Sequence, residues 1–179
     1  MLFRSETLNV SEVKDDTRLN KFADALNQAF GVNVHWVDFG DQGMTTSTGR
    51  NLGQFNGYRL GDTVLISPNK DFMDTTWHEL THTLETKHPE VYAQLRDTIL
   101  RTVDPAMKQR LYDALNQRRR AEIGQDMTAP ELESELVAVV TGQHASSPEM
   151  LQQLFDGFQD KNLAQQFKDI LMEIFDRLA

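Results

Sequence analysis

The sequence predicts an α+β fold in which a small N-terminal β-sheet precedes a mostly helical C-terminal part. Three observations carry this expectation. Runs with the two-residue alternation of strands lie before residue 70. From His88 onward, apolar residues recur at helical spacing almost to the end. Pro89, Pro105, Pro130 and Pro148 each stand where a first helical turn tolerates a residue without an N–H. With 179 residues and neither an internal repeat nor a linker, residues 1–179 read as one domain, large enough to bury a core without disulfides or a structural metal.

In chain order, "DDTRLNKFADALNQAFG" places Leu19, Phe22, Ala25, Leu26 and Ala29 on one stripe closed by Gly31, which predicts a first helix. "VNVHWVDF" sets Val32, Val34 and Trp36 on one face of a strand, with His35 on the other as a structural residue. Residues 40–57, rich in Gly, Thr, Ser and Asn, read as a mobile loop; they lack the strand-and-helix context of a phosphate loop. "FNGYRLGDTVLISPN" puts two β-like runs around Leu60, Gly61 and Asp62, a hairpin that ends at Pro68. Helices are then expected over residues 90–100, 105–119, 130–141, 148–158 and 162–178.

Composition narrows the function. The chain has 18 Lys and Arg against 27 Asp and Glu, a net charge of −9, which argues against nucleic acid as a partner because phosphate binding needs a positive surface. The one basic cluster, Arg118 to Arg120, reads as the solvated end of a helix. With no cysteine, metal ligands are limited to His, Asp and Glu. No apolar run suits a signal peptide or a membrane span, so the expectation is a protein without a membrane partner, cytoplasmic where synthesised, with non-classical export or virion association open.

The chemistry concentrates in "TTWHELTHTLETKHPE". On a helix, His78 and His82 project from one face a turn apart and can grip one cation, while Glu79, about 100° round, reaches a water on that cation instead of the cation itself. Zinc in such a site lowers the water's pKa towards about 7, and the carboxylate takes the proton. Met73, Trp77, Leu80 and Leu84 form the core stripe of the same helix, and the histidines lie roughly 120° from it. Asp71 or Asp74 suits the helix start.

"TTWHELTHTLE" preceded by "GDTVLISP" resembles the zincin superfamily of metallopeptidases, in which an edge strand runs beside an HExxH helix and a peptide substrate lies along it. "ELESELVAVV" resembles the second, glutamate-bearing helix of the gluzincin branch, and with "HPEVYAQL" following the motif the order is most similar to zincin-like peptidase domains of phage and mobile-element proteins. The resemblance covers residues 57–142. It implies a zincin-like fold, a zinc ion (Zn2+), a polypeptide substrate docked on residues 63–67, and a zinc metallopeptidase, most simply an endopeptidase, with Glu79 as general base.

A catalytic zinc needs a third protein ligand. In the gluzincin reading it is Glu135, which sits about 40° from Val139 at the edge of the Leu132, Leu136 and Val139 stripe. Glu131 and Glu133 remain alternatives, all three acids also suiting a solvated helix start. His88 is the rival: His78, His82 and His88 match the metzincin spacing, but Glu85 stands where that pattern turns on glycine. Glu85 could support a ligand imidazole, although a solvent-exposed place suits it better. Tyr92, Tyr112 and His144 are the candidate oxyanion donors. The competing function is an inert metal-binding or interaction module with a zincin fold, for example in a phage-encoded assembly, against which the intact Glu79 speaks.

Overall fold

The computed structural model describes residues 8–9, 11–13, 16–40, 44–46, 49, 51–53, 56–68, 72–145 and 147–178. Helix α1 (Thr17–Phe30) starts at Asp16, whose carboxylate accepts from the backbone N–H groups of Arg18 (2.9 Å) and Leu19 (3.2 Å). It ends at Gly31, whose φ of 64° is the left-handed conformation a helix terminus reserves for glycine. Of the expected stripe, Phe22, Ala25 and Leu26 are buried and Leu19 and Ala29 partly so, and Phe30 is buried beside them.

Four strands make the sheet beside this helix: β2 (Ser11–Glu12), β3 (Asn33–Asp38), β6 (Gly57–Leu60) and β7 (Thr63–Ile66), in the order β2-β3-β7-β6. The β6–β7 hairpin turns at Gly61, with φ of 60°. Strand β7 pairs in parallel with β3 and antiparallel with β6, so both of its edges are used. Residues 63–67 therefore do not form the docking edge expected of them. The outer strand is β6, because the hairpin's first run folds back over the outside of the second. A separate three-stranded sheet joins β1 (Leu8–Asn9), β4 (Met44–Thr46) and β5 (Asn51–Gly53) in the order β1-β4-β5. Two strands thus occupy the segment read as a loop, since threonine suits a pleated backbone even where glycines on either side signal turns.

The helical part follows the proline punctuation. It comprises α2 (Phe72–Lys87), α3 (Pro89–Thr102), α4 (Pro105–Ile123), α5 (Ala129–Ala145), α6 (Pro148–Gly157) and α7 (Lys161–Leu178). Trp77, Leu80 and Leu84 of α2 are buried with Leu26, Phe30, Ile66, Leu95, Leu136, Phe158 and Phe167 in one core. Of the two residues considered for the start of α2, Asp74 lies in its first turn and Asp71 lies outside the described residues. At its other end, Lys87 donates to Gly31 O (2.8 Å) and meets Asp62 (3.1 Å), tying α2 to the end of α1 and to the hairpin turn. Among the described residues no helix is long and apolar enough to cross a membrane.

Helix α2 packs most extensively on α5. At the crossing stands Gly142, where a Cβ would lie 2.6 Å from the Asp74 carbonyl oxygen. Two turns back along α5 is Glu135, on the same face by helical geometry. We expect Gly142→Ala to lower unfolding stability by about 1–3 kcal/mol, the usual cost of overpacking, despite a gain of up to about 1 kcal/mol in helix propensity. Urea denaturation of the two proteins checks this; an unchanged or raised midpoint would mean that the helices are not held this close.

Candidate metal centre

The face of α2 that carries Asp74, His78 and His82 is turned to α5, and there the two imidazoles meet Glu135. His78 Nε2 lies 3.5 Å from Glu135 Oε2, and His82 Nε2 lies 3.5 Å from Glu135 Oε1. The three donor atoms all stand within 4.8 Å of one another. The side chains are 20–28% exposed, so the cluster opens on solvent from one side while its backbones stay packed.

These contacts are not ion pairs at neutral pH. Burial, then the charges of His82 and Arg118, lowers the His78 pKa to about 4, and burial also lowers that of His82. Both imidazoles are therefore neutral, with one lone pair each. Which nitrogen of His82 carries it follows from its neighbours. The Ser134 hydroxyl, 2.8 Å from Glu85 Oε2, gives its one proton to that carboxylate, which can only accept. Its oxygen is then the acceptor for His82 Nδ1, 3.3 Å away, which leaves the lone pair on Nε2. That lone pair faces a carboxylate oxygen, an arrangement of two acceptors that a cation between them makes favourable. Ligand atoms about 2.0–2.1 Å from zinc at tetrahedral angles stand roughly 3.3–3.4 Å apart, close to the 3.5 Å between each imidazole and its nearer carboxylate oxygen, although one donor atom from each residue brings the set together only to within 4.8 Å. The residues fit a zinc ion.

Glu79 borders the same cleft, about 100° round α2 from His78. Burial foremost, then the charge of Glu135, raises its pKa to about 7, with Arg59 opposing the rise. Strand β6 lies directly over it: a Cβ on Gly57 would come 2.6 Å from Thr75 Cγ2 and 3.2 Å from Glu79 Cγ. The absence of a side chain at Gly57 thus sets how near the edge strand runs to the carboxylate. The cleft has a volume of about 330 Å³, and its walls come from β6, α2, α4 and α5.

His88 lies elsewhere. It stands between α2 and α3 with its ring against Phe30, centroids 6.4 Å apart, and the metal-ligating cluster does not include it. Glu131 is occupied in capping α5, accepting from Thr128 N (2.7 Å) and Thr128 Oγ1 (2.8 Å). Glu133 points its charge towards Tyr92 and Tyr112. Glu85 is exposed as expected, yet it holds Ser134. His35 meets Glu12 at 3.3 Å on the outer face of the sheet.

None of the expected oxyanion donors lines the cleft. Tyr92 is buried behind Ser134 and bonds to it. Tyr112 has its hydroxyl buried between helices. His144, although on α5, lies nine residues beyond Glu135 and borders a separate cavity, with Nδ1 2.8 Å from Val140 O. The further polar groups that line the cleft are Tyr58 and Arg59 of β6 and Arg118, Arg119 and Glu122 of α4. The basic run is accordingly divided: Arg120 pairs with Asp126 in solvent, while Arg118 and Arg119 turn to the cleft. No signal in the run itself separates them, because only the path of α4 across α5 decides which turn faces the site. No family model, curated protein or solved structure matches the chain.

Two titrations follow from this geometry. Zinc affinity, measured by competition with a chromogenic chelator, should fall by more than about 100-fold in Glu135→Ala, beyond the usual loss from a supporting residue, and stay unchanged in His88→Ala. Loss in the histidine variant with retention in the glutamate variant would reverse the ligand assignment. Ser134→Ala should cost about 10–100-fold, the range for a group that orients a ligand imidazole. Full affinity in this variant would show that Ser134 does not set the His82 tautomer.

Proposed function

We propose that the protein is a zinc-dependent peptidase of zincin-like, gluzincin-type organisation, with His78, His82 and Glu135 holding the metal and Glu79 acting as general base. The observation that carries the reading is the convergence of two neutral imidazoles and a carboxylate from separate helices, beside a glutamate whose pKa is raised to about 7. When bound, zinc supplies Lewis acidity towards a carbonyl and towards water.

Glu79 then does the proton work. A carboxylate beside the metal can accept a proton from attacking water and return it to the leaving amine, one proton in and one out over the turnover. Its position under Gly57 keeps it beside whatever chain lies on β6. That strand pairs on one side with β7 and borders the cleft with Gly57, Tyr58 and Arg59, so an extended peptide added to its outer edge would cross the metal ligands. The docking strand proposed is thus β6, one strand further out than the sequence suggested. The small-residue approach at Gly57 favours this, because it lets backbone lie close to the base.

Glu79→Gln should retain zinc and lose about 10²–10⁴-fold in peptidase turnover, the share usually carried by a positioned base. Stoichiometric zinc with undiminished cleavage of the same peptide would remove Glu79 from this role. Because the core lies apart from the ligand cluster, the metal-free protein should keep its helical circular dichroism, and adding zinc should raise its melting temperature through binding alone. Protein that gains no stability from zinc at any concentration would contradict the site.

A further inference from the structure

Resting on the peptidase reading of the same cleft, we infer that Arg59, Arg118 and Arg119 form a subsite for a carboxylate of the substrate, so that the protein selects a peptide with a carboxylate beside the bond it cleaves. The three cations reach the cleft from two unconnected elements, the outer strand β6 and helix α4. This is unusual placement in a chain of net charge −9, whose surface elsewhere carries more acid than base.

Each arginine also has a partner outside the substrate path. Arg59 donates Nε to Gly61 O at 2.9 Å, which anchors it along its own hairpin. Arg118 donates Nε to Glu122 at 2.8 Å, one turn along α4. Arg119 meets Glu131 at 3.8 Å, a solvent-screened contact. The charges act at the reacting groups: Arg59 bears on Glu79 and His82, and Arg118 on His78.

Charge balance favours an anion there. The cleft's three arginines face three glutamates, Glu79, Glu122 and Glu135, and Arg119 also meets Glu131. With all four glutamates ionised, a divalent cation on Glu135 and the imidazoles would leave the group positive by one, and a planar carboxylate matches the guanidinium fork. The acidic remainder of the protein opposes polyanions, so a single carboxylate on an otherwise neutral peptide segment suits the site better than a phosphate chain. That carboxylate belongs either to an internal Asp or Glu side chain or to a free C-terminus.

The test uses the zinc-loaded protein and two chelating probes of similar size, succinic monohydroxamate and butyrohydroxamate, which differ by one carboxylate. Titration calorimetry should find the succinic probe at least about tenfold tighter, the order expected of a charge-assisted contact. The ratio should fall several-fold in Arg59→Gln and in Arg119→Gln, with zinc affinity retained. Equal binding of the two probes would overturn the subsite while leaving the metal site standing. Failure of both probes to bind would overturn the metal reading itself. Peptides blocked at the C-terminus, carrying Glu or Gln on either side of the scissile bond, then separate the sources from the same sequences with a free terminus. Faster cleavage of the internal Glu peptides assigns the side chain, and faster cleavage only with a free terminus assigns the terminal carboxylate. No preference in either arm would reject the proposal.

Discussion

The close packing of α2 on α5 is the contact on which everything else in the site depends. Gly142 presents no side chain where the helices meet, and the Asp74 carbonyl occupies the space a larger residue would need. From that crossing the helices run alongside one another, bringing Ser134 to His82 and Glu85, and Glu135 to both imidazoles. A second close approach, of β6 over α2 at Gly57, places the outer strand above Glu79. Two glycines therefore set how closely α5 and β6 approach adjoining faces of α2, one beside His78 and one beside Glu79.

The electrostatics follow from this packing. Burial removes water from His78, His82 and Glu79, and each responds by favouring its uncharged form. Neutral imidazoles have lone pairs to offer, and the hydroxyl of Ser134 fixes which nitrogen of His82 offers it. A carboxylate facing the lone pair of His82 Nε2 is an unfavourable arrangement by itself. A cation between the two is one way to satisfy it, and the three side chains are placed so that they could hold one.

Local features of the sequence located most of the elements. Gly31, Gly61 and the four prolines each mark a backbone event with a single physical cause, and the helix and hairpin boundaries fall at or within a few residues of them. The His78, Glu79 and His82 spacing was equally legible, because it is a property of one helix. What escaped was non-local. Nothing in "GDTVLISP" says that β7 would be enclosed by β3, since strand order is settled by residues far apart in the chain. The threonines of β4 could not announce their partners in β1 and β5. Ser134, adjacent to Glu135, gave no sign of reaching His82 across 52 residues, and Arg118 and Arg119 looked the same as Arg120.

The central claim is that His78, His82 and Glu135 hold one zinc ion. X-ray absorption spectroscopy of protein loaded with one equivalent of zinc addresses it most directly, because the edge and fine structure read the donor atoms themselves. The account predicts a nitrogen and oxygen shell at about 2.0–2.1 Å with the outer-shell scattering of two imidazole rings. A shell of oxygen alone, or scattering from fewer than two imidazoles, would contradict it.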